Sequence, residues 1–303
     1  GHPAVKQHAE KTLHREDLNM PCTTPPPLAE QMNSRPVIGP INLVPSALMV
    51  EYYCTAGFDF VWVDMEHGPH TIDSLATAVP ICIGRGVTPI VRVPGVLDWS
   101  VKWVLDQGAR GVIFPFVNSV EDASQAISAC KYPLTGHRGY FPNVAANRWG
   151  ATLDEYPDRA DAEICVILQI EADAAVQQID GIVALDGWDV LFIGPMDLSA
   201  SYGKLGQVDD PEVSGAIDRV REAALGAGRH AGILATTPDQ VTGKPTVNCL
   251  AADSDEHIPG LARLAEAMHD YGAKAMVQLQ HPGRQASWPR YPVYSASDVV
   301  MHM

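Results

Sequence analysis

Seven short runs rich in β-branched and aromatic residues, separated by stretches of helical periodicity, constrain this 303-residue chain more than any other feature. The runs are 37–42, 58–64, 88–92, 111–116, 164–170, 190–193 and 230–234. The helical patterns between them include 45–56, 74–84, 100–108, 120–129, 172–185 and 211–228. Successive ends at Asp64, Arg92 and Phe116 lie 28 and 24 residues apart, the length of one strand–helix unit. Such alternation predicts parallel strands joined by helical crossovers. Its regularity favours an α/β fold of the (β/α)8 TIM-barrel type over a doubly wound sheet.

Composition supports one large core. Hydrophobic residues are 46% and charged residues 19%, with mean hydropathy −0.03, a balance typical of globular chains. Lys and Arg total 21 against 36 Asp and Glu, a net charge of −15. That field repels phosphate backbones and anionic lipid, so nucleic acid and membrane surfaces are not expected partners. No apolar run reaches the ~18 residues of a membrane span, and no signal-peptide core precedes the barrel pattern, which together predict a cytoplasmic protein. The six cysteines, at 22, 54, 82, 130, 165 and 249, lack metal-finger spacing and read as reduced core thiols.

Three segments are distinguished: a polar N-terminal arm over 1–34, a barrel over 35–242, and an atypical ending over 243–303. The interval 130–162 interrupts the rhythm with Gly, Pro and aromatic residues and is expected to form a substrate lid, with a purely structural crossover as the alternative. In the lid, Arg138, Gly139, Tyr140, Phe141 and Pro142 would shape a substrate mouth.

Chemistry gathers at the strand ends. Asp64 closes FVWVD, Arg92 closes TPIVR, Glu171 follows CVILQI and Asp197 follows VLFIGPM. In a barrel these carboxyl ends converge on one opening. A single acid after a strand is commonly the N-cap of the next helix, but four ionisable residues beside His67 form a constellation. Glu171 and Asp197 would project from neighbouring strands and repel unless a cation or shared proton intervenes. Oxygen ligands of this kind suit Mg2+, with Mn2+ or Co2+ as alternatives. His67 stands three residues from Asp64, which could orient it and keep it basic. Arg92 is a permanent cation suited to a developing oxyanion, and Gly194, Pro195 and Met196 offer backbone N–H groups at a helix start.

At these residues the sequence resembles the HpcH/HpaI aldolase family of metal-dependent class II pyruvate aldolases. The segments carrying the resemblance run in the family's order: DFVWVDMEHGPH, GVTPIVRVPG, LDQGARGVIFPFVNSVEDA, GHRGYFP, CVILQIEAD, GWDVLFIGPMDLSASYG and AGILATTPDQ. The resemblance implies that Glu171 and Asp197 bind a divalent metal, with Gln169 next to it or facing substrate. It implies that Arg92 holds the pyruvyl oxygen, that His67 with Asp64 assists proton transfer, and that Glu66 serves supporting hydrogen bonds. Trp62 and the Tyr140–Pro142 stretch also look like the fungal macrophomate synthase branch, in which a pyruvate enolate meets a flat 2-pyrone. Trp62, Tyr140 and Pro142 are therefore further substrate-binding candidates, with a place in the core as the alternative for Trp62. The implied activity is carbon–carbon lyase chemistry on oxaloacetate or a 4-hydroxy-2-oxo acid, with an aldehyde or 2-pyrone acceptor, in a homo-oligomer of two to six chains.

The last 48 residues differ. Residues 256–303 resemble an internal piece of the old yellow enzyme family, with Gln278, His281 and Arg284 on its QLxHxGR-like segment. The rest of a flavin barrel is missing, so FMN is not expected. The helix-then-strand pattern of 256–280 predicts instead that this segment completes the barrel. Two alternatives remain at this stage: a non-catalytic barrel scaffold and a flavin-dependent oxidoreductase.

Overall fold

The computed structural model describes residues 25–96, 98–141, 143–144 and 155–234. Chain contacts divide the protein into units 1–233 and 234–303, and all described residues but Leu234 belong to the first. The expectation that 256–303 supplies a last strand lies outside the described residues, as do Pro142, Cys22 and Cys249.

The described strands are β1 (Ile41–Asn42), β2 (Phe60–Asp64), β3 (Thr88–Arg92), β4 (Gly111–Phe114), β5 (Cys165–Ile170), β6 (Val190–Ile193) and β7 (His230–Ile233). They form one curled, all-parallel sheet in the order β1-β2-β3-β4-β5-β6-β7. A doubly wound sheet reverses its strand order at a switch point, and no such reversal occurs here. The helices are α1 (Leu28–Met32), α2 (Ala47–Thr55), α3 (Ile72–Gly84), α4 (Asp98–Asp106), α5 (Val120–Cys130), α6 (Glu155–Glu163), α7 (Asp173–Gln177), α8 (Ile179–Val183), α9 (Pro195–Ser201) and α10 (Pro211–Gly226). No helix among the described residues is long and apolar enough to cross a membrane.

Boundaries depart from the sequence pattern for local reasons. β1 is two residues long instead of six. Its approach already runs beside β2, with Asp59 N donating to Ile38 O at 3.0 Å and Trp62 N to Pro40 O at 3.0 Å, but Pro36 and Pro40 have no N–H to donate to a ladder. β4 stops at Phe114 because Pro115 follows and Phe116 turns to φ +53°. The 172–185 pattern breaks at Gln178 into α7 and α8.

Alternation along each strand sorts side chains into two layers. Val61, Val63, Val91, Val112, Leu168 and Leu191 face outward against helix residues such as Leu75, Val79, Val104, Ile127 and Val220. Trp62, Ile90, Ile113, Cys165, Ile167 and Val190 face inward and pack with Leu28 of α1. Leu28 is only 2% exposed, so the end of the expected polar arm is a structural plug for the interior. Cys54, Cys82, Cys130 and Cys165 are buried free thiols, in keeping with their expected place in the core.

Candidate active site

The inward-facing rows change character at their carboxyl ends. On β2 the row runs Trp62, Asp64; on β3, Ile90, Arg92; on β5, Ile167, Gln169 and then Glu171; on β6, Val190, Phe192 and then Gly194. A period of two therefore carries each strand from apolar floor to polar rim. Register aligns the rim, since Asp64 and Arg92 are paired across β2 and β3.

Arg92 is the hub. Its Nε donates to Asp64 Oδ1 at 2.9 Å and its Nη2 to Asp64 Oδ2 at 2.5 Å. Its Nη1 lies 2.9 Å from Glu66 Oε2 and donates to Gln169 Oε1 at 3.4 Å. Gln169 Nε2 in turn donates to Glu171 Oε2. The other oxygen of Glu171 accepts from the Phe116 backbone N–H at 2.6 Å. One polar chain thus links β2, β3 and β5 to the turn after β4. The amide of Gln169 passes orientation from cation to carboxylate with both of its ends used.

Local sequence explains these positions. Asp64 ends its strand in a turn, its Oδ1 accepting from Glu66 N at 3.0 Å and His67 N at 3.4 Å. At Gly68 a Cβ would lie 2.5 Å from Asp64 O, so only glycine closes the loop. After β6, Pro195 opens α9 at a position where its missing N–H costs nothing, and Asp197 lies in the first turn.

Electrostatics divide the carboxylates. Burial alone would raise Asp64, but hydrogen bonds and charge from Arg92, with the two turn N–H groups, hold its pKa below the usual range. Glu171 is raised, first by burial and further by the charges of Glu66 and Asp197, against the opposing bonds from Phe116 and Gln169. Glu66 is raised by burial despite Arg92 and His67, and Asp64 and Asp197 add to the rise. Three carboxylates, Glu66, Glu171 and Asp197, therefore share a neighbourhood whose crowding a cation would relieve.

The residues present fit a hard divalent ion. Glu171 and Asp197 supply oxygen donors, and the missing side chain at Gly194 leaves the cradle open: a Cβ there would stand 2.6 Å from Glu171 Oε2. Among the described residues no group of three or more His, Cys, Asp and Glu is arranged to hold a metal. Two carboxylates with the remaining positions left to water and substrate match the habits of Mg2+.

Several expected site residues sit differently from the sequence reading. Asp64 meets His67 only through the latter's backbone. The imidazole, 62% exposed, has Glu66 as its carboxylate neighbour, with Nε2 3.8 Å from Oε2. Asp64 is turned from it because both its oxygens are committed to Arg92 and the turn. Trp62, open in sequence between the mouth and the core, takes the core position at 3% exposed. It lies beneath the Arg92 guanidinium, 5.0 Å from ring centre to Cζ, with Phe192 edge-on at 4.9 Å.

In the 130–162 interval the described residues are 130–141, 143–144 and 155–162. The interval joins α5 to β5, so both its ends belong at the opposite edge of the sheet, where Arg110, just before β4, donates to Glu163 of α6 at 2.6 Å. Arg138 is buried, donating to Asp106 at 3.1 Å and to Tyr156 Oη at 2.9 Å. Tyr140 packs edge-on against Tyr132 at 5.3 Å, and a Cβ at Gly139 would meet Lys102. Phe141 is exposed. Conversely, the sequence marks Phe116 only as a strand end, and the sole hint of its turn is the Pro115 before it.

The HpcH/HpaI aldolase/citrate lyase pattern matches residues 44–244. The hydroxypyruvate/pyruvate aldolase of Agrobacterium fabrum (strain C58) is 39% identical over 200 residues, covering 66% of this chain and 75% of that enzyme. An HpcH/HpaI aldolase/citrate lyase family protein of known structure from Burkholderia cenocepacia J2315 has a TM-score of 0.66 at 30% identity, over 81% of this chain and 99% of that one. Macrophomate synthase shares the fold, with a TM-score of 0.62 at 23% identity over 87% of this chain and 97% of its own. The matched range ends before 256–303, so the flavin-enzyme resemblance of that segment finds no counterpart in it.

Proposed function

The chain belongs to the HpcH/HpaI aldolase/citrate lyase family, and from that premise we propose that it is a divalent-metal-dependent carbon–carbon lyase. It would form the enolate of pyruvate from oxaloacetate or a 4-hydroxy-2-oxo acid and pass it to an aldehyde or a 2-pyrone. The observation that carries this reading is the polar chain from Asp64 through Arg92 and Gln169 to Glu171. It holds a fixed guanidinium beside a carboxylate cluster at the end of an otherwise apolar interior.

Glu171 and Asp197 would hold the ion, with Mg2+ the expected species. When bound, it supplies Lewis-acid stabilisation of negative charge on the substrate's keto oxygen. Arg92, already locked by Asp64 and Glu66, presents positive charge to the same oxygen without reorganising, which is where electrostatic catalysis gains most. Gln169 keeps Glu171 from rotating. His67, exposed and beside Glu66, is placed to take or return a proton from the solvent side. Like other members described as homo-oligomers by the family resemblance, the protein would assemble with copies of itself.

The test is metal-supplemented protein incubated with oxaloacetate, and separately with pyruvate in deuterated water, followed by NMR. Decarboxylation and methyl-proton exchange are expected, and both vanish in Glu171→Ala and Asp197→Ala. Unimpaired turnover in either variant would overturn the assignment.

A further inference from the structure

The carboxyl ends of three strands carry large apolar side chains that remain about half exposed. Leu43 (44%) and Val44 (49%) follow β1, Phe116 (50%) follows β4, and Met196 (49%) follows β6. All three places border the carboxylate cluster. The Phe116 N–H is bonded to Glu171. Met196 lies between Gly194, which faces Glu171, and Asp197. The Leu43 carbonyl is 3.2 Å from where a Cβ on Gly68 would sit, so it abuts the turn that carries Glu66 and His67.

Phe116 adds a second sign. It is the one non-glycine residue with positive φ among the described residues, at +53°. For a bulky residue that conformation is strained, and such strain persists where the surroundings impose it. Here it aims the N–H at Glu171 and leaves the ring in solvent at the rim.

We propose that Leu43, Val44, Phe116 and Met196 form the acceptor subsite of this lyase, and that they select an aldehyde carried on an apolar group, aromatic or branched aliphatic, over a polyhydroxylated one. The inference rests on the enolate chemistry proposed above. In the addition, the enolate methylene carbon bonds to the aldehyde carbon. The carbonyl electron pair moves to its oxygen, and that oxygen takes up a proton equivalent to the one lost from the pyruvate methyl group, giving a 4-hydroxy-2-oxo acid. An apolar acceptor tail would bury these four side chains and itself. Hydroxyl groups in the same place would lose water without gaining partners.

The experiment compares kcat/KM for 3-methylbutanal and D-glyceraldehyde with pyruvate and Mg2+, in the wild type and in Leu43→Ser and Phe116→Ser, with methyl exchange of pyruvate measured for each protein. The wild type should favour 3-methylbutanal by about tenfold or more, and each variant should lower that ratio about tenfold, the scale on which apolar pockets discriminate. Leu43→Ser, at an exposed loop position, keeps the test valid if Phe116→Ser does not fold. A wild type that exchanges pyruvate protons but prefers glyceraldehyde, or a ratio unchanged in the variants that exchange, overturns the acceptor subsite. Absence of exchange in the wild type overturns the enolate reading itself.

Discussion

Arg92 and Asp64 face each other as paired residues of adjacent strands, and the guanidinium grips the carboxylate with two bonds, at 2.9 and 2.5 Å. Both side chains are nearly inaccessible, so neither charge can fall back on water. Removing one member of a buried pair strands the other, at a cost of roughly 3–5 kcal/mol. Glu66 remains beside Arg92, so Asp64→Asn should fall near the lower end. Urea denaturation at pH 7 will read it as a lower midpoint with an unchanged slope.

The same pair sets a pH dependence. The Asp64 pKa is lowered in the folded state, so its stabilising contribution is complete above the unfolded aspartate value of about 3.9 and is lost as pH falls through the lower folded value. Wild type should therefore lose stability below about pH 4 more steeply than Asp64→Asn. Equal acid slopes in parallel denaturation series would contradict the pairing.

Gly194→Ala tests the cradle. The backbone there, at φ −93°, accepts any residue, so the effect comes from the added methyl alone, 2.6 Å from Glu171 Oε2 and 2.9 Å from its Cβ. Glu171 must rotate and break its bonds to Gln169 and Phe116. The expected outcome is a stability loss of about 1–3 kcal/mol from overpacking and weaker Mn2+ binding by titration calorimetry. Undiminished binding would show that Glu171 need not hold its position.

Leu28→Ala tests the plug. A buried leucine cut to alanine costs about 2–5 kcal/mol. Leu28 sits among Trp62, Ile90, Ile113 and Ile167, and a loss below ~0.5 kcal/mol, the usual range for surface changes, would mean that α1 is dispensable.

Much of the architecture was legible because strand and helix periods differ and the strand ends recur evenly. Asp64, Arg92 and Glu171 stood out because ionisable residues end runs that are otherwise apolar, whereas Gln169 was marked only by the family resemblance. Other features leave little trace in sequence. The role of Phe116 lies in a backbone angle and an N–H that every residue type but proline possesses. Leu28 looks like part of a polar arm because one leucine beside three prolines has no period. α6 was hidden because its pattern, EYPDRADAE, is nearly all polar, although Tyr156 and Ala160 are buried in the core. The partner of His67 turned on which of two carboxylates a turn leaves free, and Arg92 had already engaged Asp64.

The apolar floor and the Leu28 plug line the inner face of the curled sheet beneath the ionic cluster. Low-permittivity packing beneath Arg92 sends its field outward instead of dissipating it below. The hydrocarbon layer that stabilises the sheet thus also gives the ionic cluster a direction.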